Sequence, residues 1–191
     1  MRRRRFLVTG GTAFFTGIAG CARTSGQSAA NFNASSPAFS TNSELPTRFT
    51  CDGAGISPPL VVENIPKPTA ALAVALEYDR GVINEPVLWT LWNVPTQNRI
   101  PADIPRTATV DSLDGARQGR RPGQPPGYDP PCPPAGKVYE HRFQVHALSE
   151  KLPVKGGATH DTARDAIGNN VLASSRITVT YTRSAETTEQ E

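Results

Sequence analysis

Gly127-Tyr128-Asp129-Pro130-Pro131-Cys132-Pro133-Pro134-Ala135-Gly136 is the stretch on which the reading of this chain turns. Proline fixes its own φ and lacks an N–H, so prolines on both sides of Cys132 exclude helix interior and central strand alike. The segment is predicted to be a stiff loop. Over Val138–Leu148 the pattern changes: His141, Phe143, Val145 and Ala147 fall on one parity, Arg142, Gln144, His146 and Leu148 on the other. Side chains alternate across a strand, which predicts a strand with one buried face and His141 at its entrance, beside the loop. A buried imidazole next to a rigid loop predicts a small-ligand pocket.

Further out, the same logic assigns the other elements. Asp52-Gly53-Ala54-Gly55 is turn chemistry, and Ser57-Pro58-Pro59 keeps the backbone extended toward Leu60-Val61-Val62. Leu72-Ala73-Val74-Ala75-Leu76 is too short for a stable helix and reads as an inner strand that delivers Glu77 and Asp79 to its end. Val87–Val94 has large apolar groups on both alternations, so a central strand covered on both faces is predicted. Ten of the 18 prolines fall at positions 95–134, a long loop that must be functional to be tolerated in a compact domain. Thr162-Ala163-Arg164-Asp165 reads as a capping-box start, with Ala163, Ala166, Ile167 and Val171 at helical spacing and Gly168 weakening the helix by about 1 kcal/mol relative to Ala. Ile177, Val179 and Tyr181 alternate with threonines in a last strand. Many strands, proline-rich loops and one late helix predict a mainly β, sandwich-like domain over residues 37–183.

The ends read differently. Arg2 to Arg5 precede a weakly apolar stretch at 6–20 that is too short for a comfortable membrane span, and Arg3-Arg4-Arg5-Phe6-Leu7 resembles a twin-arginine export signal. Ile18-Ala19-Gly20-Cys21 resembles a lipobox, which predicts acylation of Cys21; a plain cleaved signal is the alternative. Of the 20 basic side chains, four belong to residues 1–20; the remaining 16 face 17 acids, so the mature chain is near neutral and a nucleic-acid partner is not expected. Residues 21–36, rich in Ser, Ala, Asn and Gly, are expected to be a flexible tether, and 184–191 a frayed tail.

"GYDPPCPPAGKVYEHRF" resembles the Gly-Pro-Cys-Pro-Pro-x-Gly…His-Arg-Tyr signature of the phosphatidylethanolamine-binding protein (PEBP) family, in its prokaryotic Raf kinase inhibitor-like branch. "FTCDGAGISPPL" at 49–60 and "LWTLWNVP" at 88–95 are similar to two further blocks of that family, in the same order. The resemblance implies a large sheet packed on a smaller one, a C-terminal helix and an anion-accepting pocket. Cys51 and Cys132 each lie in one of these blocks and form an even pair in an exported chain, so they are expected to be bonded; two buried free thiols are the alternative.

Carried over residue by residue, the resemblance assigns Glu77 and Asp79 to the pocket's two aspartates and His141 to its histidine, with Pro131 in the adjoining loop. Leu88 stands where the family has a second histidine, Tyr78 replaces a proline, and Arg80 could supply the missing cation. Carboxylates would fix or charge the imidazole, and the protonated ring would attract a phosphate-like oxygen. The expected function is a non-catalytic binding module for a small anionic or phosphorylated ligand, or for a protein partner if the pocket is vestigial. A hydrolase in which Glu77 or Asp79 orients His141 as general base is the alternative. It lacks a convincing nucleophile, since Ser57 sits before two prolines outside any Gly-x-Ser-x-Gly elbow. Trp89 and Trp92 are expected in the core, His146 on the surface and His160 in a loop. Nothing resembles a zinc-binding spacing or a nucleotide loop, so neither metal nor cofactor is expected.

Overall fold

The computed structural model describes residues 31–79 and 86–184. The expected export signal, Cys21, Arg80 and nearly all of the expected tail lie outside them. Ten strands are described, β1 (Asn33–Ser35), β2 (Ser43–Glu44), β3 (Leu60–Glu63), β4 (Ala71–Asp79), β5 (Val87–Val94), β6 (Arg99–Ile100), β7 (Thr109–Val110), β8 (Ala116–Gln118), β9 (Val138–Leu148) and β10 (Val171–Thr182), with one α-helix, α1 (His160–Gly168). The large sheet has the order β2-β10-β9-β4-β5-β8-β7 and the small one β1-β3-β6. The domain is a β-sandwich, as the pattern predicted.

Alternation along the strands builds a core on each face of the large sheet. Leu72, Val74, Leu76, Phe143, Val145, Ile177 and Val179 point toward the small sheet and meet Leu60, Val62 and Ile100. Ala73, Trp92 and Leu148 point the other way and meet Ala163 and Ile167 of the helix. Trp89 and Trp92 are both fully buried, one in each core. Trp89 Nε1 donates to Gln118 Oε1 at 2.9 Å, while Gln118 Nε2 donates to the Pro105 and Thr107 carbonyls. One buried amide thus satisfies an indole and fastens the proline-rich loop to the sheet; replacing Trp89 by Ala would cost about 3–5 kcal/mol.

Several boundaries differ from expectation. Asn33–Ser35, inside the expected tether, is a strand paired with β3, because the buried Ala34 and the preceding Phe32 add to the core. The helix starts three residues early, since the Thr159 hydroxyl, rather than that of Thr162, is the N-cap and accepts from Thr162 N–H at 3.3 Å. His160 is therefore the first helical residue and is buried, where a loop position was expected. Val171 is not helical: the helix ends at Gly168 and β10 begins at Val171. The expected 40-residue loop contains β6, β7 and β8, two or three residues each and too short to show a period.

Candidate functional site

The proline loop is held through four of its residues, Tyr128, Asp129, Pro131 and Cys132. Cys51 and Cys132 form a disulfide closing a separation of 81 residues. Cys51 N–H donates to the Pro131 carbonyl at 3.1 Å, and Asp129 N–H donates to the Leu88 carbonyl at 3.0 Å. Tyr128 is buried, its ring edge-on to Trp89 and its hydroxyl donating to the Phe49 carbonyl at 2.7 Å; burial pushes its pKa up. The buried Asp129 carboxylate takes Arg106 on one oxygen and Arg121 on the other, both at 2.7 Å. Charge-assisted bonds of this kind make Asp129 a clamp for two cations.

Against this loop the sheet presents an aromatic wall. Tyr139 and His141 lie two apart on β9 and share a face, and the register pairs His141 with Tyr78 of β4. Tyr78 stacks on Tyr139 with centroids 5.6 Å apart and on His141 at 5.8 Å. A slip between the Leu76–Trp89 and Glu77–Val87 pairs makes Leu88 the extra residue of a bulge. Leu88, the three rings, Arg121 and the proline loop then line a cleft of about 220 Å³.

This arrangement corrects the expected constellation. Glu77 pairs with Arg142, one step from the Tyr78–His141 pair, so the pleat turns it to the opposite face. There its carboxylate accepts from Gln144 Nε2 at 2.6 Å and lies 3.9 Å from Arg164. Asp79 pairs with Glu140, and the position opposite His141 belongs to Tyr78 rather than to either acid. Pro131 contributes its carbonyl to the disulfide turn, while Pro130, Pro133 and Pro134 line the cleft. Leu88 and His141 do line it.

The imidazole also differs in charge. His141 is 1% exposed, and burial pulls its pKa down to about 4, against the smaller raising effect of its bond to Tyr139. That bond joins Nδ1 to the Tyr139 carbonyl at 3.1 Å; a carbonyl only accepts, so Nδ1 donates and Nε2 is the ring's acceptor. The ring is neutral at neutral pH, and Arg121 is the cation among the lining residues. His146 is half-buried rather than open to water, with its Nδ1 and the Ser174 hydroxyl 2.8 Å apart, and burial lowers its pKa to about 4. Tyr139 was legible from the sequence as the residue two before His141; Tyr78, Arg121 and Asp129 become site residues only through strand register and loop path.

The sequence model of the phosphatidylethanolamine-binding protein family matches residues 35–182. The chain belongs to that family. Two curated relatives of the PEBP chain are UPF0098 proteins. That of Pyrococcus horikoshii is 30% identical over 149 residues, covering 78% of this chain and 75% of its own length. That of Chlamydia muridarum is 33% identical over 149 residues, covering 76% and 95%. Among solved structures, Escherichia coli YbcL, described as a new member of the mammalian PEBP family, is similar with a TM-score of 0.72 and 29% identity over 79% of this chain and 98% of that one. The Chlamydia trachomatis protein CT736 is similar with a TM-score of 0.66 and 26% identity over 80% and 97%. Among the described residues of the PEBP domain, no group of three His, Cys, Asp or Glu side chains is arranged to hold a metal ion. No described helix is long and apolar enough to cross a membrane.

Proposed function

We propose that this PEBP domain is a non-catalytic binding module, exported and anchored through an acylated Cys21, whose aromatic cleft takes a small phosphate headgroup bearing an amine. The observation that carries the reading is the pairing of one guanidinium, Arg121, with a wall of Tyr78, Tyr139 and a neutral His141 in the same cleft. Asp129 engages Arg121 through Nε, so its terminal nitrogens suit a phosphate oxygen. An alkylammonium would gain from the ring faces and could donate to His141 Nε2. The cleft's cysteine is tied up in the disulfide, and His141 Nδ1 is engaged by a carbonyl rather than by an acid, which favours binding over hydrolysis.

Calorimetric titration with phosphoethanolamine and with inorganic phosphate tests this. Arg121→Ala should weaken phosphoethanolamine about tenfold, and Tyr78→Leu should weaken it severalfold while leaving phosphate unchanged. Unaltered affinity in both variants would refute the ligand assignment. Mass spectrometry of the mature N-terminus tests the anchor, and an unacylated start beyond Cys21 would refute it.

A further inference from the structure

We propose that the N-terminal end of α1, on the opposite face of the large sheet, carries a second site for a phosphate monoester, built from Arg120, Arg164 and His160 and bordered by Arg121, which it shares with the aromatic cleft. A cleft of about 390 Å³ lies there, lined by these four residues together with Thr159 and Asp161, among others. Among the described residues that line it, three guanidinium groups face one carboxylate, that of the exposed Asp161. The acids that hold the arginines from behind, Asp129 on Arg121 and Glu77 beside Arg164, are not lining residues. Arg120 engages the Gly157 carbonyl through Nε at 2.9 Å, and Arg121 engages Asp129 through Nε, so both are oriented by bonds that leave their terminal nitrogens uncommitted. A guanidinium held in this way suits a tetrahedral oxyanion better than a mobile one does.

The helix end adds its positive dipole to the same cleft. A further observation points to a ligand. His160 is 4% exposed; its Nδ1 and the Thr90 hydroxyl are 3.0 Å apart, and its Nε2 is buried without a hydrogen-bond partner. A buried polar atom left unmatched in a folded protein asks for one. If the Thr90 hydroxyl donates to Nδ1, the ring proton sits on Nε2, where a phosphate oxygen would accept it. The backbone is stitched to hold this geometry: Gly119 N–H donates to Thr90, Arg120 N–H to Ala158 and His160 N–H to Arg120, each to the carbonyl.

The shared chemistry is a phosphoryl dianion, and a soluble ester and a lipid headgroup are its two sources. The test follows backbone amide shifts of the protein during titration with glycerol phosphate, with cosedimentation on phosphatidic acid vesicles as the parallel arm. Saturable shifts at residues 158–164, weakened about tenfold by Arg164→Gln and by Arg120→Gln, support the site and a soluble ligand. Vesicle binding with the same dependence on both arginines supports it with a lipid ligand. Shifts confined to residues 128–141, or binding by either arm that is indifferent to both substitutions, overturn it, as does no binding by either arm. Arg164 does not line the aromatic cleft, so Arg164→Gln should leave phosphoethanolamine affinity there unchanged. Loss of the aromatic-cleft reading with retention of Arg164-dependent binding would leave this site standing.

Discussion

The two clefts are built from neighbouring residues of the same strands and differ in almost every other respect. Tyr78 and Leu88 line the aromatic cleft, while their neighbours Glu77 and Val87 belong to the helix-side face, where Val87 lines the cationic cleft. One is closed by a proline loop stapled through a disulfide, the other by the start of a helix. Arg121 borders both. A pleated sheet distributes consecutive side chains to opposite sides, so two chemistries can share one pair of strands while each strand residue serves only one of them. What covers each face then decides the dielectric and the charge.

The largest expected effect separates the clefts by their covering elements. Replacing both Cys51 and Cys132 by Ala should lower stability by about 4 kcal/mol, measured by denaturant unfolding, because the unfolded chain regains the freedom of a long loop. Amide exchange should accelerate at residues 127–136 before it does at 158–164. Equal acceleration in both segments would break the contrast between stapled loop and packed helix.

Gly119→Ala attacks the other side. An added Cβ there would overlap Thr90 Oγ1 and lie 2.8 Å from His160 Nδ1. The strain should cost about 1–3 kcal/mol and disturb the cationic cleft. Phosphoethanolamine titration should report little change, since Gly119 is not among the residues of the aromatic cleft.

Acid should weaken both regions together. Burial lowers the pKa of His141 and of His160 to about 4 from the ordinary 6.5. Between those values the unfolded chain takes up protons that the folded rings refuse, so stability is complete above about pH 6.5 and is lost toward pH 4. Each ring contributes a slope of up to about 1.4 kcal/mol per pH unit. Denaturant midpoints across this range check it, and His141→Gln and His160→Gln should each remove one ring's share. An unchanged profile in either variant would break the assignment for that cleft.

The smallest effect sharpens the comparison most. Glu77→Gln removes a carboxylate 3.9 Å from Arg164. Phosphate monoester binding at the helix end should strengthen by about two- to threefold, the scale of a partly exposed ion pair. Affinity in the aromatic cleft should stay the same, and a clear loss there would return Glu77 to the face from which the register excludes it.

Much of the fold was legible because burial leaves a period. The alternation of Phe143, Val145 and Ala147 marked β9, and the two-sided apolar run of Val87–Val94 marked a covered strand. Strands as short as Thr109–Val110 carry no period to read. The site was legible only in part. His141 was found because it continues a buried parity, and Tyr139 could have been found the same way. Glu77 was assigned to the pocket by linear correspondence, which counts positions and ignores the pleat.

By itself, the sequence determined the strand-rich character of the domain, the stiffness of the proline loop and the position of His141 on a buried face, because these follow from local sterics and from alternation along one segment. Which partner lies opposite that histidine, which cation reaches the cleft and which face Glu77 joins were decided by tertiary structure alone. Those depend on the register between β4 and β9, on a bulge in β5 and on where Asp129 holds Arg121, and none of these is a property of any single stretch of chain.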